Sequence, residues 1–140
     1  MTGMQPIQRL VVVAVLLISA CGQVEPVTVA VSMPDCVYRG ADRMREGDAS
    51  VSLTLNGIAD AGATLVLIED THGYSELVEV LDETGQVPTW VESVVELELS
   101  PDDGIDGVEE TVTLDAGTYA LLCVSDDGVR PASSLTVTMG

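Results

Sequence analysis

The residues able to do chemistry in this 140-residue chain are few and fall into three groups. The first is the stretch Pro101, Asp102, Asp103, Gly104, Ile105, Asp106, Gly107, Val108, Glu109, Glu110, which packs five carboxylates into a Gly-rich loop. Calcium takes about six to eight oxygen ligands, so these side chains define a candidate cation site, although their spacing departs from the EF-hand loop. The same acids read equally as a solvated surface that keeps the domain soluble. The second group centres on His72, the only histidine, in the turn-like segment Glu69, Asp70, Thr71, His72, Gly73, Tyr74. A carboxylate beside an imidazole can orient a base or share a cation. Nucleophilic catalysis would need an activated Ser or Cys beside that imidazole, and neither Thr71 nor Ser75 sits in an elbow or oxyanion loop. His72 therefore reads as an exposed loop residue, no residue is assigned a catalytic role, and enzyme activity is not expected. Trp90 and Tyr74 belong to a set of only four aromatics in a chain without Phe. Trp90 reads as a plug at one end of a core; the alternative is that Trp90 and Tyr74 face a partner, with His72 as a third candidate binding residue.

Cysteines make the third group. Cys36 and Cys123 form an even pair, which in an oxidising compartment reads first as a disulfide, with two free thiols, metal ligands or an exchangeable redox pair as the other readings. A bond between them closes a loop of about ninety residues and stabilises by about 4 to 5 kcal/mol in the chain-entropy description. That the compartment is oxidising follows from the start of the chain. Arg9 supplies a positive leader, Leu10 to Ile18 is uninterruptedly apolar, and Ser19 and Ala20 precede Cys21. This is the layout of a secretory signal peptide, and its apolar run is much shorter than the roughly 20 residues that cross a bilayer. It closely resembles the bacterial lipobox, which implies cleavage after residue 20, a diacylglyceryl group on the Cys21 sulfur and an extracytoplasmic, membrane-anchored chain. The expected organisation is a lipoprotein signal peptide over 1–20, a lipidated tether over 21–26 and one domain over 27–140.

Loss of the leader removes Arg9 and leaves four Arg, no Lys and 23 acids, a formal charge of 4 minus 23, or −19. Phosphate backbones and anionic headgroups are bound through clustered cations, so nucleic acid is not an expected partner. The remaining 120 residues (140 minus 20) suffice for one continuous core.

The elements that must position these groups read mainly as strands. Val27 to Met33 alternates Val27, Val29, Val31 and Met33 on one face, and Ser50 to Asn56 places Val51, Leu53 and Leu55 together. Ala63 to Ile68 is nearly continuous in apolar character and suits a strand covered on both sides. Ser75 to Asp82 has a Ser cap, early acids and Gly85 beyond its end, which predicts a short helix. Pro88 marks a loop or strand edge, and Val91 to Leu99, Val108 to Leu114, Thr118 to Val124 and Ser133 to Thr138 complete the strands. About seven short strands with one helical insertion indicate an all-β, Greek-key β-sandwich.

At Asp115, Ala116, Gly117, Thr118, Tyr119, Ala120, Leu121, Leu122, Cys123 the chain resembles the penultimate strand of the cupredoxins, where a Gly-x-Tyr turn and strand deliver a cysteine to the sheet end. The resemblance extends to the closing strand Leu135, Thr136, Val137, Thr138 and more loosely to the early strand ending Leu55, Asn56. Copper-carrying members add two histidines and a methionine to the cysteine. Here Val124, Ser125, Asp126, Asp127, Gly128, Val129, Arg130 follow Cys123 with no histidine downstream, and Met139 comes too late. The resemblance thus implies a copper-free cupredoxin-like domain of bacterial lipoproteins, without a cofactor, in which Cys123 pairs with Cys36. The expected function is a non-catalytic binding or structural module on the membrane's outer side. Its protein or small-molecule partner is left open, and calcium binding by Asp102, Asp103, Asp106, Glu109 and Glu110 is the alternative.

Overall fold

The computed structural model describes residues 25–104 and 106–140. The expected leader over 1–20, the expected lipidation residue Cys21 and most of the expected tether over 21–26 lie outside the described residues. Alternating sequences on both sides of a shared core produce two sheets. One contains β1 (Val27–Met33), β2 (Val37–Gly40), β4 (Gly47–Leu55) and β7 (Gly107–Leu114), in the order β2-β1-β4-β7. The other contains β3 (Arg43–Arg45), β5 (Ala61–Ile68), β6 (Val91–Leu99), β8 (Gly117–Ser125) and β9 (Gly128–Thr138), in the order β3-β9-β8-β5-β6. The β-sandwich expected from the periodicity is present, with nine strands in place of about seven. The two additional ones, β2 and β3, are short edge strands between β1 and β4.

The alternation does what period-two patterning requires. Val29, Val31 and Met33 of β1 and Val51, Leu53 and Leu55 of β4 turn inward and meet Leu65, Leu97, Leu121 and Leu135 of the opposite sheet. Each fully buried side chain of this size contributes about 1.5 to 3 kcal/mol relative to exposure. β5 is apolar on both faces because both faces are covered. Leu65 enters the sandwich, while Val66 and Ile68 point outward to Leu77 and Leu81 of the helix α1 (Tyr74–Thr84), with Ala120 and Leu122 beside them. Among the described residues no helix is long and apolar enough to cross a membrane.

Local chemistry explains the helix ends. Gly73, not Ser75, is the N-cap, and no side chain caps it; Ser75 lies inside the first turn. At the other end Gly85 adopts the left-handed conformation at φ 68° and its N–H donates to the Leu81 carbonyl at 2.9 Å, the stop that a glycine makes inexpensive.

Strand direction defines two ends. β1 starts at Val27 and runs to Met33, which is level with Leu55 at the close of β4, and β5 begins again on this far side, where Gly62 faces Val124. Val27 and the turn segment 34–36 are therefore separated by the length of β1, about 20 Å. The exposed edge at β6 carries Glu92, Glu96 and Glu98 and a bulge: Leu65 pairs with Val95 but Val66 with Ser93, leaving Val94 unpaired. Acidic side chains and a bulge are both devices that discourage strand addition.

Candidate functional site

The far end of the sandwich is built around Cys123. It sits near the close of β8, 1% exposed, and is bonded to Cys36 with 5.9 Å between the Cα atoms. Cys36 occupies the turn between β1 and β2 at φ 60°, a left-handed conformation that costs a non-glycine residue about 1 to 3 kcal/mol unless its surroundings enforce it. Next to it, Arg130 pairs in register with Cys123 and its Nη2 donates to the Pro34 carbonyl at 3.0 Å. Turn, penultimate strand and closing strand are thus held by one covalent bond and one hydrogen bond. An open cleft of about 460 Å³ lies at the same end, with Asp60, Gly62, Glu98, Asp103, Val124 and Asp126 in its wall.

The five carboxylates of the 102–110 segment serve several local purposes. Asp102 and Asp103 belong to a 3₁₀ turn, Pro101–Asp103, in which Asp103 accepts from the Ser100 N–H at 3.0 Å while the Ser100 hydroxyl accepts from the Asp102 N–H at 3.4 Å. Asp106 offers its backbone carbonyl to the Leu55 N–H at 2.9 Å. Glu109 and Glu110 are successive residues of β7, beside Ser52 and Val51, so the pleat sends them to opposite sides of the strand. Among the described residues no three His, Cys, Asp or Glu side chains converge closely enough to hold a metal ion.

His72, Tyr74 and Trp90 come together at the other end, on the outer face of the five-stranded sheet. Here the structure corrects two expectations. Trp90 is not a plug of the sandwich core: it is half-buried and packs on the smaller cluster formed by Val66, Ile68, Leu77 and Leu81. The His72 carboxylate partner is neither Glu69 nor Asp70 but Glu76, one helical turn onward, whose Oε2 meets Nδ1. The imidazole also stacks on Trp90, with ring centroids 4.1 Å apart and planes 8° from parallel. Tyr74 is half-buried in the same cluster, and burial pushes its phenol above the ordinary range. The signal that could have located this pairing is the i, i+4 spacing of His72 and Glu76 across the helix start.

No protein-family profile and no curated protein sequence matches the chain. Among solved structures it is similar to auracyanin A, a blue copper protein from the green thermophilic photosynthetic bacterium Chloroflexus aurantiacus. That likeness has a TM-score of 0.49 and 16% identity, over 81% of this chain and 100% of that one. It is also similar to the dithionite-reduced auracyanin of the photosynthetic bacterium Roseiflexus castenholzii, with a TM-score of 0.43 and 16% identity over 84% of this chain and 99% of that one. The chain's own strand order places Cys123 on the penultimate strand at a sheet end, closes with Leu135 to Thr138 in β9, and ends β4 at Leu55. The fold is a two-sheet β-sandwich with one helix. Within this sandwich the residues do not fit a copper ion. The Cys123 sulfur is committed to Cys36, and His72 stands near the Ile68 and Thr118 end of the sheet while Cys123 stands near Ala63.

Proposed function

We propose that this chain is a lipid-anchored, extracytoplasmic, non-catalytic module, a cupredoxin-like sandwich stapled by a disulfide and offering its outer surfaces for binding or structural use. The observation that carries the reading is the Cys36–Cys123 bond, since a disulfide persists outside the reducing cytoplasm. The lipobox-like segment before Cys21 supports the anchor, and the start of β1 at Val27 leaves only a short tether. Two acyl signals make such anchoring stable, each buried methylene adding about 0.8 kcal/mol. The far end, with the disulfide, then faces away from the bilayer.

Expression of the full chain in a bacterium tests this directly. The mature protein is expected in the membrane fraction, beginning at Cys21 with lipid mass on its first peptide, and with no reactive thiol after denaturation without reductant. Cys21→Ala should leave the membrane fraction. An unmodified Cys21, or a chain released unaltered into the soluble fraction, overturns the anchored reading.

A further inference from the structure

The two open sides of the sandwich differ in charge. On one side lie the edge strands β2 and β3, with Arg39, Arg43 and Arg45, all exposed, and with Asp42 and Glu46 flanking β3. On the other lie the edge strands β6 and β7, with Glu92, Glu96, Glu98, Glu109 and Glu110, also exposed. These three arginines are most of the cations of a chain with formal charge −18, and none of them has a carboxylate within ion-pair distance among the described residues. An unpaired cation is uncommon where acids are so abundant, and three on one side invite an acidic partner of matching height.

The register supplies that partner from the chain itself. Arg39 is level with Ala30, Ala30 with Ser52, and Ser52 with Glu109, so one row crosses the four-stranded sheet with Arg39 at one end and Glu109 at the other. Three strand spacings separate their Cα atoms, about 14 Å, too far to meet within one molecule. We propose that copies of this chain associate side by side, the β2/β3 arginine edge of one against the β6/β7 acidic edge of the next. The shared upright orientation rests on the anchored reading above. Copies held in one bilayer present Arg39 and Glu109 at a common height. Their overall mutual repulsion is damped beyond a Debye length of about 8 Å at physiological ionic strength, whereas contacting pairs are screened less. The contact is heterologous, because the two surfaces differ, so it propagates into rows rather than closing a two-fold dimer.

The absence of lysine makes the test specific, since carbodiimide couples carboxylates to amines and not to guanidinium. The full chain carrying Arg39→Lys, purified in detergent and returned to phosphatidylcholine vesicles, is treated with carbodiimide. An intermolecular ladder is expected, with a peptide in which the amine introduced at position 39 is joined to Glu109 or Glu110. Adding Arg43→Glu and Arg45→Glu, which leaves both coupling groups in place, should abolish it. No ladder, a ladder linking position 39 only to acids outside 92–110, or a ladder unaffected by the charge reversals overturns the proposal. So does shielding of the introduced amine from an acylating reagent by anionic vesicles without a ladder, which assigns the edge to headgroups. The mass of the first peptide in the same sample separates the two readings. Lipid without a ladder removes the lateral contact alone, and a ladder without lipid removes the anchor alone.

Discussion

The imidazole of His72 lies flat against the indole of Trp90 and is tied by Nδ1 to Glu76 at the start of the helix. This makes the single tryptophan a reporter on one histidine. His72→Ala should shift the emission to the red as the exposed ring face meets water. A stacked pair of this kind stabilises by about 0.5 to 1.5 kcal/mol, so the variant should lose roughly that amount in a denaturant titration. Identical emission from both proteins contradicts the stack.

The Cys36–Cys123 bond encloses most of the folded chain, at a sequence separation of 87. Replacing both residues by Ser should lower stability by about 2 to 5 kcal/mol, read as a lower denaturant midpoint. Replacing Cys36 alone should cost no more than the double change, because it breaks the same bond yet leaves at position 123 a thiol that packs as a small apolar group in the core.

Gly40 closes β2 at φ +138°, and a Cβ added there would stand 2.2 Å from the Thr28 carbonyl oxygen. Backbone cannot yield as a flexible side chain does. Gly40→Ala should therefore cost more than about 2 kcal/mol and weaken the β1–β2 pairing, visible as faster amide exchange at Tyr38 and Arg39.

All three tyrosines hold their protons more tightly than a free phenol. Burial is the main cause at Tyr38, Tyr74 and Tyr119, and the nearby carboxylates Asp42 at Tyr38 and Asp115 at Tyr119 add to it. A raised folded-state pKa means that the folded protein binds the proton more strongly. The stability involved is fully present below the unfolded value near 10 and is lost as pH climbs through the folded values. The melting temperature should thus fall above about pH 10. Tyr119→Phe should lessen that fall and cost about 0.5 to 1.5 kcal/mol at neutral pH, through loss of the 2.8 Å hydrogen bond to the Asp115 carbonyl. A melting temperature that stays flat well above the ordinary phenol range contradicts this.

Legibility from sequence follows the length and coverage of each element. β1 has the predicted bounds because seven residues of clean alternation leave little freedom, and β6 has them because Val95 to Leu99 alternates beyond the bulge at Val94. β2 and β3, with four and three residues, are too short to show a period, and their arginines look like loop. β9 starts at Gly128 rather than Ser133 because Pro131 resembles a break. β3 covers only Arg43 to Arg45 against Thr136 to Thr138, and Pro131 stands beside the register shift in the β8–β9 pairing, an irregular and one-sided stretch where a sheet tolerates proline. Trp90 is the harder case. Its burial comes from the helix laid over the outer sheet face, a tertiary event that the segment Val87 to Trp90 does not encode locally. The carboxylates over 102–110 show the converse: closeness along the chain is not convergence when a capped turn and a pleated strand share the residues between them.

The position of the Cys36–Cys123 bond also decides how the molecule would bear tension. Force entering at the N-terminus and drawn along β1 loads its parallel pairing with β4 in shear, so that seven residue pairs resist together instead of unzipping singly. Should that strand slip, the payout of chain stops at residue 36, and everything from there to residue 123 is latched out of the line of pull.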